Sequence, residues 1–193
     1  MKKSHDVYGL IRMNQGYMIR VARYEELQFL PIIERNAGVL FAPFSHELGL
    51  REDPAVTSVG TLIQAQQNGL IWVAANEADD PVGFAHVEMF GEYAHLHEID
   101  VDPSCQRNGI GSALVREICN WADSSGISAI TLRTFLHVPW NAPFYTKYEF
   151  RVIPDSESPF DELSKFVVAE ATLGFNMRER VTMKRMRSSL IGI

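Results

Sequence analysis

His95-Leu96-His97-Glu98-Ile99-Asp100-Val101-Asp102-Pro103-Ser104-Cys105-Gln106-Arg107-Asn108-Gly109-Ile110-Gly111 carries the strongest fold signal in this chain. Leu96, Ile99 and Val101 give an imperfect but strand-like alternation, which Pro103 ends. From Leu114 through Val115, Ile118, Trp121 and Ala122 the apolar spacing becomes helical, so a helix is expected to begin near Gly109. The first four N–H groups of a helix have no partner within it, and the macrodipole adds about half a positive charge there. Glycines at 109 and 111 put no Cβ between those amides and an approaching phosphate. The same glycines would serve an ordinary strand-to-helix turn, so the neighbouring sequence has to decide. It supplies titratable groups immediately upstream, His95, His97 and Glu98 among them.

Neither the G-x-G-x-x-G dinucleotide pattern nor the P-loop pattern is present. What is present is Gln106-x-x-Gly109-x-Gly111, preceded by Val101-Asp102-Pro103. Further on stands Val138-Pro139-Trp140-Asn141-Ala142-Pro143-Phe144-Tyr145-Thr146-Lys147-Tyr148-Glu149-Phe150, in which Asn141 suits an N-cap and Pro143 a first helical turn. In this order the two segments resemble the GNAT (Gcn5-related N-acetyltransferase) superfamily. That resemblance implies acetyl-CoA as cosubstrate, its pyrophosphate on the turn formed by Gln106, Arg107, Asn108, Gly109, Ile110, Gly111 and Ser112. It implies a pantetheine arm along the backbones of Ile99 and Val101, on a strand that splays from its neighbour, with Asn141 as a further cofactor residue. Tyr145 takes the place of the general acid that reprotonates the CoA thiolate. One departure is visible, because Glu149 stands where the family most often has glycine; where that glycine takes a positive φ, a glutamate would shape the turn before Phe150 differently.

An alkylammonium must lose a proton before its nitrogen can attack a thioester, so a base is needed as well. His95, His97 and Glu98 are the candidates. On a regular strand the two histidines share one face and Glu98 takes the other, unless a bulge shifts the register. The His95-Leu96-His97 spacing ahead of Val101 is similar to the strand of serotonin (arylalkylamine) N-acetyltransferases, where two histidines relay the proton through water. Histidine suits that task because its ordinary pKa lies near neutrality. No third ligand stands at a recognisable zinc spacing nearby, so no metal is expected.

At 193 residues and 46% hydrophobic content the chain is long enough for a substantial core and short for two domains. One domain over residues 17–193 is expected, preceded by an N-terminal extension over 1–16 to which nothing in the resemblance corresponds. No apolar run approaches the roughly 20 residues of a membrane span, and Met1–Asp6 leads into no signal-peptide core, so a cytoplasmic protein away from membranes is expected. Cys105 and Cys119 are too few for a disulfide framework and are expected as reduced thiols. A formal charge of −6 argues against a nucleic-acid partner. Arg107, Arg116 and Lys147 are candidate partners for the negative end of CoA, or solvated surface charges.

Along the chain, strands are expected near 17–23, 70–75, 82–90, 95–101, 128–133, 150–153 and 181–186. Helices are expected over Tyr24–Asn36, with Pro31 starting a second segment, and over Thr57–Asn68, Gly109 onward, Asn141–Lys147 and Pro159–Leu173. Their alternation predicts a mixed α/β fold. With the resemblance it becomes a mixed, mostly antiparallel sheet of about seven strands flanked by helices. The resemblance places acceptor specificity in Leu40–Pro54 and Ser156–Leu163. There Phe41, Phe44 and His46 suit an aromatic-friendly pocket, and Glu25, Glu34 or Glu47 could attract an ammonium. The expected function is direct acetyl transfer to a primary amine, a small molecule ahead of a protein lysine or N-terminus, with a non-catalytic acetyl-CoA sensor as the other class. The superfamily commonly dimerises, which allows a homodimer.

Overall fold

The structure, a computed structural model, describes residues 11–12, 16–52, 55–157 and 161–188. Among them lie the strands β1 (Ile11–Arg12), β2 (Met18–Val21), β3 (Ile71–Ala75), β4 (Pro81–Phe90), β5 (Tyr93–Val101), β6 (Ala129–Phe135), β7 (Arg151–Ile153) and β8 (Arg180–Met186). The α-helices are α1 (Leu30–Gly38), α2 (Ser45–Leu48), α3 (Val59–Gln67), α4 (Ile110–Ser125), α5 (Ala142–Tyr145) and α6 (Leu163–Leu173). None of these helices is long and apolar enough to cross a membrane. The described residues group into two compact units, one within 1–40, 55–87 and 98–117, the other within 41–54, 88–97 and 118–193.

In the first unit β1, β2, β3 and β4 pair antiparallel in sequence order. β3 is an unbroken apolar run, Ile-Trp-Val-Ala-Ala, and all five residues are buried, as expected of a strand covered on both faces. Asn76 makes the turn into β4: its Oδ1 accepts the amides of Ala78 and Asp80, and Asp79 takes a left-handed φ of +66°. Arg20 of β2 donates to Glu26 at 2.7 and 2.9 Å and to Asp79 at 2.9 Å. That network explains a buried glutamate, since a buried charge persists only when paired. Tyr24–Phe29 is a 3-10 helix, and α1 starts anew at Leu30 with Pro31 in its first turn, the break expected at that proline. Leu27, Leu30 and Ile33 pack with Leu62 of α3 and with Ile71, Val73 and Phe84 of the sheet.

The second unit has the strand order β5-β6-β8-β7. β5 runs parallel to β6 over Tyr93–Leu96, and β8 runs antiparallel to both β6 and β7. The fold is therefore mixed α/β with a mostly antiparallel sheet, as expected. The strand beyond the expected seven is β1, two residues long and too short to leave a periodic signature. It falls inside the expected N-terminal extension, most of which lies outside the described residues. The segment Leu40–Pro54 holds a 3-10 turn, Val39–Phe44, and α2, which ends at Gly49 with φ +69°. α6 begins at Leu163; Pro159, where its start was expected, lies outside the described residues, as do residues 53–54 of the first specificity segment and 158–160 of the second.

Candidate active site

In the first unit β5 leads into the expected cradle. Asp102 donates its N–H to Val82 O at 2.9 Å. Its Oδ1 accepts the Ser104 hydroxyl at 2.6 Å and amide at 3.0 Å, and its Oδ2 accepts Asn36 of α1 at 3.0 Å. These bonds, that of Ser104 foremost, hold the Asp102 carboxyl below the usual carboxylate range. The chain then turns through Arg107 at φ +61° and Gly109 at φ +74°. Ala113 closes the first helical turn on Gly109 O at 3.0 Å, so Ile110, Gly111 and Ser112 present the amides that α4 leaves without an internal partner. No acidic residue stands in that first turn to offset its positive end. The cradle fits a phosphate.

Asn108 braces this turn from within, donating to Cys105 O and to the Tyr17 hydroxyl, both at 3.2 Å. Ile110 is buried and anchors the helix start, whereas Arg107, Arg116 and Lys147 are exposed. Gly83 of β4 lies so close that a Cβ there would sit 2.8 Å from Asp100 O and 3.4 Å from Ile110 Cγ2. Glycine at 83 therefore lets β4 approach the point where β5 hands over to α4.

Three carboxyl groups also belong to this unit. Glu34 of α1 accepts the Thr57 N–H with both oxygens, at 3.0 and 2.9 Å, and burial pushes its carboxyl up. Glu98 Oε1 accepts the Ile99 N–H at 3.3 Å. Burial first, then the charges of Glu98 and Glu34, push the Asp100 carboxyl well above the usual range.

His95 and His97 belong to the second unit, with ring centroids 6.3 Å apart. His95 is 2% exposed; its Nδ1 lies 2.8 Å from Thr131 Oγ1, and Thr131 also donates to Ala94 O at 3.4 Å. The phenyl ring of Phe166, from α6, stacks on the His95 imidazole at 4.5 Å and 10°. His97 is partly exposed, with Nδ1 3.5 Å from Glu88 Oε1. Thr131 and Phe166 gave no sign in the sequence, one lying in an ordinary apolar strand and the other on a distant helix. A threonine facing a histidine across a parallel ladder is legible only once the register His95↔Thr131 is known.

Tyr145 is buried in α5, with Phe144 and Phe150 ring centroids at 5.2 and 5.9 Å. Asn141 occupies the N-cap position, but its side chain does not cap the helix, contrary to expectation. Its Oδ1 accepts the Thr134 hydroxyl at 2.5 Å and the Phe135 N–H at 3.3 Å. Pro143 removes one amide a cap would serve, Phe144 N–H uses Asn141 O at 2.8 Å, and β6 offers buried donors that need an acceptor. Glu149 adopts φ +67°, the left-handed conformation that favours glycine, at a cost of about 1–2 kcal/mol for a side-chain-bearing residue.

Of the expected acceptor residues, Phe41 and Phe44 meet at Trp140, with centroids at 5.7 and 5.8 Å, and Trp140 is 40% exposed. Trp140 was not among the residues expected there. Both cysteines are free thiols; burial pushes the Cys119 thiol up to about 11, while Cys105 is partly exposed.

The sequence profile of the acetyltransferase (GNAT) family matches residues 40–150. Among solved structures, Ard1 from Thermoplasma volcanium shares 16% identity at a TM-score of 0.62, covering 90% of this chain and 99% of that one. PaiA N-acetyltransferase from Thermoplasma acidophilum, solved in complex with coenzyme A, shares 17% at 0.59, over 88% and 98%. The ribosomal-protein-S18-alanine N-acetyltransferase from Escherichia coli shares 18% at 0.60, over 92% and 99%. At such identities these are likenesses of fold, whereas the profile spans more than half of the sequence. The chain belongs to the acetyltransferase (GNAT) family.

Proposed function

We propose that the protein is an N-acetyltransferase that moves an acetyl group from acetyl-CoA directly to a primary amine of a small molecule. Acetyl-CoA, when bound, supplies the acetyl group as a thioester whose C–S bond breaks as the amide bond forms. The amides of Ile110, Gly111 and Ser112, within the turn Gln106, Arg107, Asn108 and Gly109, hold the phosphates. Backbone groups of Ile99 and Val101 hold the pantetheine arm, and Asn141 fixes the start of α5. A side chain of β5, among His95, His97 and Glu98, draws the proton from the acceptor's ammonium. Tyr145 donates its phenolic proton to the departing thiolate.

The observation that carries this reading is the order of groups along one strand and its turn: proton acceptors at 95, 97 and 98, strand backbone at 99 and 101, then unpaired helix amides from 110. The coenzyme A in the PaiA structure supports the cosubstrate. The cluster of Phe41, Phe44 and Trp140 supports a small acceptor with an apolar body. Two free thiols suit the reducing cytoplasm.

The test is release of CoA thiol from acetyl-CoA against arylalkylamines, polyamines, aminoglycosides and lysine or N-terminal peptides, with an amine-free control. Saturable release with one small-amine class is expected. Release confined to peptides would overturn the small-molecule acceptor, and acetyl-CoA binding without release above the control would make the protein a sensor.

A further inference from the structure

Residues two apart on a strand share a side, so Glu98 and Asp100 of β5 are neighbours. The charges acting on Asp100 are both negative, those of Glu98 and of Glu34 on α1. Glu34 is itself pinned by the Thr57 amide, and Arg35 is the cation that acts on it. Asp102, just past the end of β5, is engaged by Ser104 and Asn36. β4 offers Gly83, which has no side chain, against the Asp100 backbone.

Asp100 Oδ2 is shielded from solvent and meets no hydrogen-bond donor. An ionised carboxylate so placed would be left uncompensated at that oxygen. A neutral carboxylic acid instead leaves only a carbonyl oxygen there and gains an O–H to donate. The carboxylate beside it is Glu98.

We propose that Asp100 is held as a neutral acid that donates its proton to Glu98, so that the pair carries one negative charge and Glu98 is the group that deprotonates the acceptor. This rests on the acetylation proposed above. In the step, an N–H bond of the ammonium breaks, its electron pair stays on nitrogen, and the proton forms an O–H bond on Glu98. Asp100 touches no reacting atom; it is a positioning residue that orients Glu98 and keeps a second negative charge away from it.

Carbon-13 NMR of the carboxyl groups in the ligand-free protein tests the shared proton, with the Asp100 signal assigned by its loss in Asp100→Asn. The signal is expected to remain in its protonated position at neutral pH, where an ordinary aspartate, titrating near about 4, has ionised. Titration of Asp100 in that ordinary range overturns the proposal. A kinetic comparison tests the positioning role, because asparagine keeps an N–H for Glu98 and leucine does not. Asp100→Leu is expected to turn over at least about ten-fold more slowly than Asp100→Asn, with the same KM for acetyl-CoA; equal losses overturn the role. Glu98→Gln is expected to lose about a hundred-fold in kcat, and an unaffected variant removes Glu98 as the base. A protonated Asp100 in a protein that acetylates no amine would sink the acetylation reading and Glu98's role in it, while the shared proton stood. An ionised Asp100 in an active enzyme would sink the pair alone.

Discussion

Thr134 gives its hydroxyl to the side-chain carbonyl of Asn141, and by that bond the head of α5 is tied to β6. Both residues are buried, so truncating the asparagine strands the Thr134 hydroxyl and the Phe135 N–H together. Asn141→Ala should cost about 2–3 kcal/mol in chemical denaturation. Combined with Thr134→Val, the loss should be clearly less than the sum of the single losses, since the two share one interaction. Additive losses would show that the bond contributes nothing of its own.

Tyr145→Phe keeps the ring among Phe144 and Phe150 and removes only the hydroxyl. If Tyr145 protonates the thiolate, kcat should fall by about a hundred-fold or more, while acetyl-CoA affinity by calorimetry stays within about two-fold. Unchanged turnover would remove Tyr145 as the acid.

The histidine pair and Glu98 make different demands on the pH–rate profile. Replacing His95 and His97 together with glutamine should lower kcat, because the stacking on Phe166 is lost, yet leave the acidic limb of kcat/KM in place. A limb that vanishes from the region near about 6.5 would make an imidazole the base.

Arg185 grips Asp123 through two guanidinium nitrogens, at 3.0 and 2.8 Å, and Ser188 N–H adds a third bond at 3.1 Å. The Arg185 bonds hold the Asp123 carboxyl below its usual range. The depressed folded value means that the pairing stabilises above the unfolded value, about 4, and is lost as pH falls through the lower folded one. Asp123→Asn should therefore be less stable by about 1–2 kcal/mol at neutral pH, and the gap should close in acid. Urea midpoints at neutral pH and near pH 3 check this; a gap independent of pH would mean that the ion pair is not its source.

Where the fold rests on local pattern, the residues announced it. α4 begins at Ile110, directly after the glycine expected to start it, because its apolar face and the missing Cβ at 109 are written in one short stretch. β3 and β4 are equally plain, bounded by Asn76 and by the turn at Asp79 and Asp80. Contacts between distant segments were not legible. Thr131 against His95 needs the parallel register, the charge of Glu34 acting on Asp100 needs two distant segments brought near each other, and the acceptor role of Asn141 needs β6 in place. Asn141 also misled for a local reason, since the asparagine that suits a cap equally suits any pair of buried donors.

The hydroxyl of Thr131 has one hydrogen and two acceptors within reach, the carbonyl of Ala94 at 3.4 Å and Nδ1 of His95 at 2.8 Å. Given to Ala94, it leaves the hydrogen between Thr131 and His95 to the imidazole Nδ1; given to His95, it puts the imidazole hydrogen on Nε2. The tautomer of neutral His95 and the direction of one buried hydroxyl are therefore a single choice. With one face of the ring covered by Phe166, proton exchange at this residue runs along the edge of the ring.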